Sequence, residues 1–316
     1  MQKILPNIYY TLNGGNKMSR YLIINADDYG MCHSSNIAVE ELFKKGGITS
    51  ATIMAPCAWS VEAARFAAAH PEYAIGLHLT LTSEWKNYRW APVSHGKVDS
   101  LIDGEGFMWH ESDDFEKHAD LAEVEAEICA QYDKLAKFGF KPSHFDNHMG
   151  SLYGIETGRF ELLELTIKQC AVHGGMPFRF PTKFTDEQFS NTMLGIHVPK
   201  ETVLGLLDKV KAGAEQAGVA VLDYLMPGDW NGPQAQSYGN FREYIFEKYR
   251  AFPDGIIETY IHPAVESDEL KAISGSWERR VWEYRLFSDP KTLEFIDDIG
   301  IRLINYRDLK KMRFAD

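Results

Sequence analysis

IINADDYGMCH, residues 23–33, is an apolar run that ends in two adjacent carboxylates, Asp27 and Asp28. The apolar part reads as a strand buried inside a sheet, and a solvated turn is the commonest fate of Asp side chains that follow one. A second possibility is that the carboxylates stand at the strand's carboxyl end because chemistry happens there. The remainder of the chain separates the two.

Working outward, short apolar runs alternate with amphipathic helical stretches. The runs read as strands are 21–27, 48–55, 74–81, 143–148, 178–182, 219–225, 256–263 and 301–306. Helical patterns lie between them, several closed by the Gly expected just past a helix, and the last crossover is broken by Pro290. Eight alternations without a shift in composition predict one α/β barrel over residues 18–316, imperfectly closed; an open doubly wound sheet is the alternative. Residues 1–17 differ in character and read either as a loose amino-terminal arm or as a segment ahead of a natural start at Met18. Residues 82–118, polar and rich in Trp and Tyr, form an insertion after the third strand, of the length typical of lids and binding loops.

Composition narrows the classes of function. The chain has 316 residues, 45% hydrophobic and 25% charged, which suits a globular protein with a sizeable core and not a disordered or fibrous one. A net charge of −12 argues against nucleic acid or an anionic membrane as partner. Cys32, Cys57, Cys129 and Cys170 are scattered without CxxC spacing, which points to reduced thiols and the cytosol. No apolar segment is long enough to span a membrane, and a signal-peptide core is not apparent.

In a barrel the active groups gather where strands end. Asp27 and Asp28 end the first strand, His78 lies in the third, His148 ends the fourth and His262 ends the seventh. In GLHLTL, His78 and Thr80 share the face opposite Leu77, Leu79 and Leu81, so His78 points into the lumen. His144 and His148 share a face of SHFDNH, but four strand residues span about 13 Å, too far for both to hold one ion. His148, nearer the rim, is the expected ligand and His144 a structural residue. Adjacent strand residues face opposite ways, so Asp27 and Asp28 can both reach the site only where the strand turns out at Tyr29-Gly30. Two imidazoles and a carboxylate leave positions open on a divalent ion, the pattern of a catalytic site. The other carboxylate can then act as general base, and His262, held protonated, as the acid. His33, His70, His95, His110, His118, His173 and His197 have no partner spacing and read as surface.

At these residues the chain resembles the YdjC-like carbohydrate deacetylases. The matching pieces are ADDYG (26–30), NIAVEELFKKGGITSATIMAPC (36–57), GLHLTLT (76–82), HFDNH (144–148), FRFP (178–181), YIHPA (260–264) and IGIRLINYRDL (299–309). The resemblance implies a distorted, polysaccharide-deacetylase-like barrel and one divalent ion, Mg²⁺ or Zn²⁺. It also implies hydrolysis of an acetamido group on a small N-acetylated carbohydrate. Carried over residue by residue, it makes Asp27 the base, Asp28, His78 and His148 the metal ligands, and His262 the acid. Gly150 stands where many relatives have a His, and HPA replaces HPG, which bears on substrate preference. The aromatic insertion could stack on sugar rings or form a homodimer contact. Two rival readings of the same residues stay open: another metal-dependent barrel enzyme, an isomerase or phosphoesterase on sugar phosphates, and a non-catalytic sugar-binding protein.

Overall fold

The computed structural model describes residues 19–190 and 200–314. The arm over 1–17, the start at Met18 and His197 lie outside them. Seven strands form one parallel sheet among the described residues: β1 (Arg20–Tyr29), β2 (Ser50–Met54), β3 (Ala74–Leu79), β4 (Phe145–Asn147), β5 (Tyr224–Leu225), β6 (Gly255–Ile261) and β7 (Ile301–Leu303). Their order is β4-β3-β2-β1-β6-β5. β1 is the centre: β6 pairs along one of its edges from Arg20 to Ala26, while β7 and then β2 share the other.

Two expected strands are shorter than the sequence suggests. Residues 178–182 make only isolated bridges, Phe145 to Phe178 and Pro181 to Leu222, and of 219–225 only Tyr224–Leu225 joins the sheet. Pro177 and Pro181 have no N–H to give a ladder, which explains the interruption. The backbone nevertheless closes the circle. Arg179 N–H donates to Phe145 O at 3.1 Å, Phe178 N–H to Ala220 O at 2.9 Å, and Asp223 N–H to Ile256 O at 3.0 Å. The expected distorted barrel is what forms, with regular pairing on one side and single bridges on the other.

The helices are α1 (His33–Lys45), α2 (Ser60–Ala69), α3 (Ser112–His118), α4 (Leu121–Ala136), α5 (Glu161–Val172), α6 (Asp186–Ser190), α7 (Lys200–Gln216), α8 (Tyr238–Arg250), α9 (Asp268–Ile273), α10 (Trp277–Ser288), α11 (Pro290–Asp298) and α12 (Tyr306–Phe314). Gly46 ends α1 at φ +75°, its N–H capping Phe43 O. Pro290 opens α11, where a missing N–H costs nothing, and Asp289 caps Lys291 N–H.

The two faces of the strands differ in kind. Leu22, Ile24, Ala26, Ile53, Leu77 and Leu79 face the helices and form the main core. The lumen holds Asn25, Asp27, Thr52, His78, Asp146, Arg179 and Glu258, closed at one end by Ile23, Leu222, Ile256 and the Tyr306 ring. His144 lies there too, stacked on Tyr306 at 3.7 Å between ring centres. A methyl group on Gly76 would sit 2.6 Å from the His144 ring, so glycine is required at that position. His144 is therefore structural, as its spacing suggested.

The 82–118 insertion is folded rather than loose. It bridges Thr82 to Trp109 and Ile102 to Met108, and it ends in α3. Glu127 of α4 accepts the N–H groups of Val93 and Ser94 at 2.9 and 2.8 Å, and Arg89 ties Asp103 to Met108 O.

Candidate active site

Asp27 and Asp28 reach one site by a route the sequence reading did not foresee. β1 does not turn out before Tyr29. Its register with β2 shifts between Ala26 and Tyr29, where Ala26 pairs Ala51 and Tyr29 pairs Ile53, so both carboxylates oppose Thr52. This is a β-bulge, and Asp28 occupies it at φ +58°, a left-handed conformation uncommon for a residue with a side chain. Bulges re-aim side chains beside active sites, and the strain is local to this carboxylate.

Asp28, His78 and His148 converge, all nearly inaccessible to solvent. Asp28 Oδ1 lies 3.6 Å from His78 Nε2 and 3.5 Å from His148 Nδ1, and it has no hydrogen-bond partner. The far nitrogen of each ring is occupied. His78 Nδ1–H donates to Asp146 Oδ1 at 2.7 Å, and His148 Nε2–H donates to Glu84 Oε2 at 2.9 Å. Each ring thus turns its other nitrogen toward the same buried carboxylate oxygen. Backing a His ligand with a carboxylate is how protein metal sites fix tautomer and ring direction, and this donor set fits a divalent cation.

Asp27 has other company. Arg179 grips it with two N–H donors at 2.7 and 2.6 Å, Asn25 Nδ2 adds a third at 2.8 Å, and Arg179 reaches on to Asp146 and Glu258. Burial alone would push the Asp27 carboxyl up, but the Arg179 charge and hydrogen bonds prevail and hold it below the usual range. Asp27, His78 and Asp146 are also close enough to hold an ion, but the guanidinium already fills that place. Three carboxylates on one guanidinium leave an excess of negative charge, and Glu258 answers it: burial, opposed in part by Arg179, pushes its carboxyl up to about 7.

Asp28 is held well below the ordinary carboxylate range, because Arg280 (2.8 Å from Oδ2), His262 and His148 outweigh its burial. For His148 burial is outweighed by Glu84 and Asp28, which raise it to about 10, so a cation that enters must displace a proton there. His262 follows Ile261, which pairs with Ala26, and so stands level with Asp27 on the neighbouring strand. Its backbone N–H donates to Glu283. Burial, helped by Arg280 and opposed by Asp28, lowers its imidazole to about 3. The expected resident imidazolium is therefore a neutral ring at rest.

The five residues singled out from sequence come together at one rim. The reading missed Asp146, Arg179, Glu258, Glu84 and Arg280. Arg179 had a signal, since a charged residue between the apolar Phe178 and Phe180 must face a polar lumen, whereas Asp146 and Glu258 each have only one apolar neighbour, Phe145 and Ile257. Glu84 and Arg280 had none, since they arrive from the insertion and from α10. His33, His70, His95, His118 and His173 stand outside the constellation at exposed or half-buried positions, and His110, half-buried, touches the Glu84 carbonyl.

The chain is similar to known proteins over nearly its whole length. A carbohydrate deacetylase of Brevibacillus brevis is 36% identical over 288 residues, covering 91% of this chain and 99% of that protein. A carbohydrate deacetylase of Geobacillus stearothermophilus is 26% identical over 300 residues, covering 93% and 100%. A chitooligosaccharide deacetylase of Yersinia enterocolitica is 27% identical, covering 92% and 100%. A crystal structure from Enterococcus faecalis superposes with a TM-score of 0.67 at 26% identity, over 92% of this chain and 99% of that one. The model of the YdjC-like protein family matches residues 21–298, and the chain belongs to that family.

Proposed function

We propose that the protein hydrolyses the acetamido group of an N-acetylated sugar or short oligosaccharide, with one divalent ion, Zn²⁺ or Mg²⁺, held by Asp28, His78 and His148. The observation that carries this reading is the unpartnered Asp28 Oδ1, buried between two imidazole nitrogens whose opposite sides are already hydrogen-bonded. Relatives named carbohydrate deacetylase, matched over nearly their whole length, supply the substrate class. When bound, such an ion polarises a carbonyl and makes water acidic enough to attack it at neutral pH.

The chain's own residues do the rest. Asp27, ionised and fixed by Arg179 and Asn25, accepts the proton of the attacking water. His262, neutral at rest and level with Asp27, takes over that proton and delivers it to the departing amine, which leaves both groups as they began. Trp85, half-buried beside Arg280, is the aromatic face of the insertion available to a sugar ring. Trp90 is buried and packs edge-on against His148, so it supports the site instead.

The test is acetate release from N-acetylglucosamine oligomers, with and without a chelator. Acetate that vanishes with chelator and returns with Zn²⁺ or Mg²⁺ is the expected result. A protein that binds the ion but releases no acetate from any acetylated sugar would overturn the reaction class.

A further inference from the structure

The two histidines that face Asp28 are held in different ways. His78 sits inside β3, its direction set by the strand and by Asp146 behind it. His148 has left its strand. It begins a single helical turn, His148–Gly150, in which Met149 has φ +54°, so no regular backbone aims its ring. Three contacts on that turn come from the 82–118 insertion. Glu84 Oε2 accepts from His148 Nε2–H at 2.9 Å, the Trp90 ring stands edge-on to the imidazole at 6.0 Å, and Ser112 Oγ–H donates to Met149 O at 2.9 Å. The Glu84 backbone is held in turn, its carbonyl 3.1 Å from His110 Nδ1.

We propose that Glu84 is the positioning residue for His148, and that through it the 82–118 insertion and the divalent ion stabilise each other. The inference rests on the metal reading of Asp28, His78 and His148. Its physical basis is reciprocity: if the insertion's grip on His148 raises affinity for the cation, the bound cation must strengthen that grip by the same factor. The insertion then does more than cover the site. It reports the site's occupancy to the surface that meets the substrate, because Glu84 precedes Trp85 directly.

The experiment uses the full chain, Zn²⁺ alone as probe, and the variants E84A and E84Q. Glu84 keeps about a fifth of its side chain in solvent, 21%, so truncation opens no large cavity, and E84Q preserves its shape. Zn²⁺ affinity is read by competition with a chromophoric chelator, and amide hydrogen exchange is followed over residues 83–112 with and without the ion. The expected result is affinity lower by about 10- to 100-fold in E84A, partly restored in E84Q. Zn²⁺ should also slow exchange at residues 83–90 in the wild type and do so much less in E84A. An E84A protein that binds Zn²⁺ as tightly as the wild type, or wild-type exchange that ignores the ion, overturns the inference and leaves the metal reading intact. Wild-type protein that takes up no Zn²⁺ overturns both.

Discussion

The lower lumen and the upper rim of this barrel are built from the same strands and solve opposite problems. Around Arg179 the described charges are closed on one another: Asp27, Asp146 and Glu258 share the guanidinium, and Tyr306 donates to Glu258. One step higher, Asp28 presents an oxygen without a hydrogen-bond partner to one nitrogen of each of two imidazole rings. The first arrangement is completed by the protein's own cation, and the second is the one proposed to take a cation from outside. Asp27 belongs to the first by its bonds and lies beside the second by its position, which suits the proposed role of a base that stays ionised without becoming a ligand.

The comparison breaks most visibly at Arg179. Removing a buried partner leaves its carboxylates uncompensated, so Arg179→Ala should lower stability by about 3–5 kcal/mol. Urea denaturation measures this, and a near-wild-type midpoint would mean that the lower network is not what holds the lumen. The rim should behave oppositely. His78→Ala and His148→Ala should lose the ion, seen as metal content near zero. They should also lose the ion's stabilisation, about 2.7 kcal/mol at a hundredfold excess over the dissociation constant.

Asp27→Asn sharpens the boundary between the regions. Turnover should fall by about 10²- to 10⁴-fold while metal content stays unchanged; a variant that lost both would place Asp27 among the ligands. The smallest effect is that of pH on the metal-free protein. His262 is held neutral at about 3 when folded but takes a proton near its ordinary value of about 6.5 when unfolded. The unfolded state therefore binds more protons in that window, and stability should decline as pH falls from about 6.5 toward 3. His262→Gln should flatten this part of the stability profile; an unchanged slope would assign it to other groups.

How much of this was legible in the chain follows from the range of each interaction. The barrel was legible because alternating apolar runs and helical stripes are local patterns, and each strand's two faces can be read from period 2 alone. His78 and His262 could be placed because they lie in or directly after regular strands. The shortened strands at 178–182 and 219–225 were over-read, since apolar β-branched and aromatic residues announce a strand while its partners decide whether the ladder forms.

By itself, then, the sequence determined which residues stand on the lumen face and that carboxylates and imidazoles end at one rim, because side-chain alternation is a property of the backbone. Only the tertiary structure decided that a bulge turns Asp28 beside Asp27, and that Arg179, Glu84 and Arg280 complete the two networks. Those contacts join residues 64 to 252 positions apart in the chain, and no local periodicity carries such distances.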